Sequence, residues 1–152
     1  MKKLFPAVLL LLLLTACSAG PKVSDTPSDA EVNTRTDVTM EVVEDTAMPG
    51  TVTVTILNTG DAEIDSGNEH DFALQVEKDG KWYPLEEPEG LANTAEALIF
   101  SCNEPREMVL TWGRRYGSLP KGHYRVVKGF FEFNPEGPPH EHFLLAAEFT
   151  LE

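Results

Sequence analysis

TWGRRYGSLPKGHYRVVK, residues 111–128, decides how the rest of the chain reads. Trp112 closes one alternating run, Leu119-Pro120-Lys121-Gly122 makes a tight turn, and Tyr124 opens a second alternating run. A tyrosine just inside a late strand can return its hydroxyl to the backbone slightly upstream, clamping a crossing between two sheets. Leu119 packs beneath such a corner, Gly122 permits the sharp bend, and Tyr124 turns inward. Beyond the turn, Tyr124, Val126 and Phe130 share a parity, with Lys128 among them. A lysine there is expected where the layers open, its stem packed and its ammonium in water.

Working outward, the apolar period from Asp37 onward is two rather than 3.6. Residues 38–44 make a first strand, and Met48-Pro49-Gly50 a turn. In residues 51–57, Val52, Val54 and Ile56 face one way and Thr51, Thr53 and Thr55 the other. Such β-branched runs suit a half-buried pleated surface. Residues 70–78 form the next strand, with Phe72, Leu74 and Val76 inward. Lys78-Asp79-Gly80-Lys81 then signals a hairpin, because Asp-Gly takes the positive φ that tight turns need. Trp82, Tyr83 and Leu85 lie on the return strand. Residues 86–93 are an acidic loop, and residues 94–100 read as a short strand or a helical turn. Residues 106–112 alternate Met108, Leu110 and Trp112 against Glu107, Val109 and Thr111. Phe143, Leu145, Ala147, Phe149 and Leu151 form the last inward row. Seven or eight short strands without a convincing long helix predict an all-β, two-layer antiparallel sandwich.

The N-terminal segment differs in kind. Lys2 and Lys3 precede an almost wholly apolar run, residues 4–14, too short for a permanent span of about 20 residues. Leu14-Thr15-Ala16-Cys17 resembles the bacterial lipoprotein signal. That resemblance implies cleavage before Cys17, a diacylglyceryl thioether on its sulfur and stable anchoring at the outer face of a membrane. An ordinary secretory leader with a chance cysteine is the competing reading. Residues 18–36 are polar, carry Pro21 and Pro27 and lack an apolar face. They are expected to form a flexible tether reaching about 60 Å. The expected organisation is therefore a signal peptide over 1–16, lipidated Cys17 and tether over 17–36, and one sandwich over 37–152.

Losing Lys2 and Lys3 with the leader takes the net charge from −13 to −15. Such a surface is expected to repel nucleic acid and anionic lipid and to keep the domain in solvent outside the membrane. With Cys17 lipidated, Cys102 has no disulfide partner in the chain; it reads as a small, half-buried apolar residue.

The chain also resembles bacterial Ig-like domains found in lipoproteins of Firmicutes. The matching residues are Pro49-Gly50-Thr51-Val52-Thr53-Val54 and Lys78-Asp79-Gly80-Lys81-Trp82-Tyr83-Pro84. They continue with Trp112, Tyr116-Gly117, Leu119-Pro120, Gly122, Tyr124-Arg125 and Lys128, then Ala146-Ala147-Glu148-Phe149. The resemblance spans about residues 38–152 and implies an immunoglobulin-like sandwich outside the membrane. It carries no catalytic residue and no cofactor to transfer.

Three chemical constellations compete with pure binding. His140 and His142 share a parity and could hold zinc or copper with Glu136, Glu141 or His70; in a polar loop they are more simply solvated. Arg114, Arg115, Lys121, Arg125 and Lys128 are five of the ten basic residues outside the leader and could form an anion site. Pairing with neighbouring acids is the plainer account. No G-x-S-x-G, HExxH or P-loop pattern argues for catalysis. The expected function is therefore a non-enzymatic, lipid-anchored binding module. Its loops or an exposed sheet edge would meet an extracytoplasmic protein or wall component. The alternative is a metal- or small-ligand-binding lipoprotein using His140 and His142.

Overall fold

The computed structural model describes residues 20–88, 90, 96–137 and 141–152. These hold nine strands: β1 (Val38–Val42), β2 (Thr51–Asn58), β3 (Ile64–Ser66), β4 (Ala73–Lys78), β5 (Lys81–Pro84), β6 (Leu98–Phe100), β7 (Arg106–Thr111), β8 (Gly122–Glu132) and β9 (His142–Leu151). Every pairing among them is antiparallel. One sheet has the order β1-β2-β7. The other is built on β8, which carries β9 along one side. On its other side β8 pairs first with β4, which carries β5, and then with β3, which carries β6.

Alternation produces this arrangement directly. Val52, Val54 and Ile56 of β2 are fully buried while the intervening threonines stay half-exposed. They face Leu74, Val126, Phe130, Leu145 and Phe149 of the larger sheet in one core. The hairpin falls where Asp-Gly predicts it: Lys78 pairs with Lys81, and Asp79 and Gly80 take φ of 52° and 73°.

Three expectations change. The strand β3 was not foreseen, because Ile64-Asp65-Ser66 is too short to show alternation and pairs only through its neighbours. The edge of residues 94–100 narrows to β6, with residues 91–95 outside the described part.

The third concerns the expected tether. Its described part, residues 20–36, lies along the domain. Val23 bridges Leu85; Ser24 N–H donates to Pro84 (2.8 Å), Ser28 N–H to Trp82 (2.8 Å), and Glu86 N–H to Lys22 (2.8 Å). Asn33 then reaches β9, donating to the Leu144 and Ala146 carbonyls and accepting the Ala146 N–H at 2.8 Å. Arg35 closes the segment against Asp37 and Glu132, over the Phe143 ring. The cause is unsatisfied backbone on the rims of the larger sheet, which a polar extended segment can pair as well as a regular strand. Outward residues along this path, Gln75, Arg125, Val127 and Ala146, are buried.

Candidate interaction surface

The corner is built around Phe149, whose ring stacks between Trp112 and Tyr124 at 5.7 Å from each. The Pro49 carbonyl accepts both the Trp112 indole N–H (2.9 Å) and the Leu119 N–H (2.8 Å), tying the corner to the turn before β2. Tyr124 Oη donates to the Pro120 carbonyl at 2.9 Å, so the expected clamp is present. Burial raises the Tyr124 phenol above its ordinary pKa, keeping it a donor. Gly122 serves by close approach rather than by an unusual bend: a Cβ there would stand 3.0 Å from the Tyr124 ring.

Lys128 departs from its expected place in water. It is 1% exposed, and its ammonium donates to the carbonyls of Gly67 (3.3 Å), Asn68 (2.9 Å) and Asp71 (2.9 Å). The turn 67–71 folds over it and supplies the acceptors that water would otherwise give. Burial lowers its pKa to about 8, against the raising pull of Asp71.

That placement, with those of its neighbours, dissolves the expected anion site. Lys128 points into the core. Arg125 lies on the outer face, 4.6 Å from the Trp82 ring, its Nε on Gln75 (2.8 Å). Burial lowers its pKa while Glu148 raises it. Arg115 donates to the His70 carbonyl and to Glu87 Oε2 (2.6 Å). Arg114 and Lys121 remain exposed. Neighbours in sequence thus occupy a core, an outer face and a loop, because side chains alternate along β8.

Arg115 and Tyr116, with Pro21, Lys22, Glu86, Glu87 and Pro88, line a cleft of about 300 Å³. Tyr116 Oη donates to Glu87 Oε1 at 2.6 Å; burial, then that bond, raises the phenol's pKa. The facing groups of the cleft are thus paired with one another.

Of the proposed metal pair, His142 opens β9 and packs on Phe131, 4.7 Å between ring centroids. Gly129 leaves room for it, since a Cβ there would stand 2.9 Å from His142 Nε2. His140 lies outside the described residues, as does Cys17. Among the described residues no three His, Cys, Asp or Glu side chains gather as a metal site; Glu141 faces Arg35 (3.6 Å), and His70 faces Glu69 (3.6 Å). Cys102 is half-buried and free, with the Asn58 amide 3.8 Å from its sulfur.

The candidate residues legible in the sequence did not include β7. Among the described residues it pairs with β2 on one side only. The register Val52 to Leu110, continued by the Trp112 N–H to Gly50 (3.1 Å), turns the backbone groups of Glu107, Val109 and Thr111 toward the open side. Val109 is 60% exposed at its centre. The other exposed large apolar side chains among the described residues are Ile99, whose carbonyl accepts from Arg106 of β7, and Met48, bridged to Thr51 on the side of β2 away from β7. The open edge therefore has an apolar side chain at its middle and Ile99 near its Arg106 end. The signal available in sequence was Val109 standing among Glu107 and Thr111 on the solvent parity.

No curated protein and no solved structure matches the chain significantly. The family model for a bacterial Ig-like domain does match, over residues 34–150. With two antiparallel sheets, a clamped corner and that match across most of its length, the chain belongs to the bacterial Ig-like domain family.

Proposed function

We propose that this chain is a non-catalytic interaction module, held by lipid on Cys17 at the extracytoplasmic face of a membrane, that takes an extended segment of a protein partner along β7. The anchor rests on Leu14-Thr15-Ala16-Cys17 following a basic start and an apolar run. The binding mode rests on the open β7 edge with Val109 at its centre. An incoming strand would pair its backbone with Glu107, Val109 and Thr111 and set side chains against Val109 and Ile99. The charge of −15 left after the leader is lost favours a partner with basic residues.

Cross-linking on living cells tests this. Val109→Asp should keep the β-type circular dichroism spectrum and remove the dominant cross-linked protein. Recovery of the same partner by the folded variant would sink the β7 reading. Membrane fractionation of Cys17→Ala should release the protein; retention in the membrane would sink the anchor.

A further inference from the structure

We infer that the domain lies flush on the bilayer rather than standing off it, with its corner loops against anionic headgroups; this rests on the Cys17 anchor proposed above. The described part of the N-terminal segment is already docked. Gly20 lies against the Pro120 ring, where an added Cβ would sit 3.5 Å from Cδ. Pro21 and Lys22 line the cleft with Arg115 and Tyr116, and Lys22 pairs with Glu86. Only Ser18 and Ala19 separate Cys17 from Gly20. That stretch reaches about 10 Å at most, in place of the 60 Å expected of a free tether. A lipid chain on Cys17 therefore holds the surface around Gly20 at headgroup level.

The charges around that point suit an anionic surface. Lys22, Arg114 and Lys121 are exposed and stand within two residues of Gly20, of the cleft-lining Arg115 or of Pro120. They are three of the ten basic residues outside the leader. Of the acids near them, Glu86 is taken up by Lys22 and Glu87 by Arg115 with Tyr116, Asp25 also acts on Lys22, and Glu152 follows the Leu151 that pairs with Gly122. Elsewhere the large acidic excess repels the bilayer. The same charge pattern thus turns the corner toward the lipid and the rest of the domain away.

The test uses the lipidated mature chain in phosphatidylcholine vesicles containing phosphatidylglycerol and a headgroup nitroxide quencher. Cys102→Ser leaves one thiol, placed by Ser118→Cys at the corner or by Asp61→Cys beyond the far end of β2. The eight residues of β2 separate those ends by about 25 Å. A fluorophore at 118 should be quenched several-fold more than one at 61, and Lys22→Glu with Arg114→Glu should shrink that contrast. Equal quenching at the two sites, or a contrast that the double variant leaves unchanged, overturns the orientation while vesicle flotation still supports the anchor. Failure of the protein to float overturns both.

Discussion

Phe149 holds the corner because two rings from different parts of the chain close on it, while Tyr124 Oη satisfies the Pro120 carbonyl beside them. Tyr124→Phe keeps the stacking and deletes only the hydrogen bond. It should lower the unfolding free energy by about 1 kcal/mol in urea titration, with an unchanged m-value. Lys128 makes a sharper prediction. Its folded pKa, about 8, is below the unfolded value of 10.5, so between these the unfolded chain binds more protons. This group therefore opposes folding below pH 8, and that penalty is relieved as pH rises through the window. Relative to Lys128→Met, the native protein should gain on the order of 1 to 3 kcal/mol between pH 8 and 10, by denaturant unfolding at each pH. The parity of Lys128 was legible in sequence. Its partners were not, because the 67–71 carbonyls reach it only across 57 or more positions of chain.

Among the elements, the N-terminal segment differs most from its sequence. Composition without an apolar face predicts a free coil, yet Asn33 and Arg35 dock it through polar bonds, which periodicity cannot register. Asn33→Ala removes the acceptor of the Ala146 N–H. Hydrogen exchange at Ala146 should quicken strongly, while Val54 in the centre of β2 keeps its protection. Acid should loosen the same contact. Arg35 holds the Asp37 carboxyl below its ordinary pKa, so the stabilisation is present above the unfolded value of about 4 and is lost as pH falls through the folded one. Exchange protection at Ala146 followed from pH 6 to pH 2 should fall in that lower range, and Asp37→Asn should remove the dependence. The hairpin β4–β5 was fully legible, since Asp79-Gly80 determines its own turn. The openness of β7 was not, since an edge strand and a central strand alternate alike.

At the scale of the molecule, the chain without its leader carries a charge of −15, and its self-repulsion opposes the compact state. Added sodium chloride screens it, so the melting temperature should rise by a few degrees between 10 mM and 500 mM salt in a thermal scan. No change would mean that local pairs such as Arg35–Glu132 and Arg115–Glu87 already absorb the excess.

By itself the sequence determined the class of fold, the core rows, the hairpin and the corner tyrosine. Each of these is written in the period of two or in a turn of a few residues, and such physics acts between near neighbours. Only the tertiary structure decided which strands stand at sheet edges, where Lys128 finds its acceptors, why five basic residues part company, and how residues 20–36 lie along the domain. Those depend on which distant segments meet, and the same alternating pattern is compatible with many orders of strands.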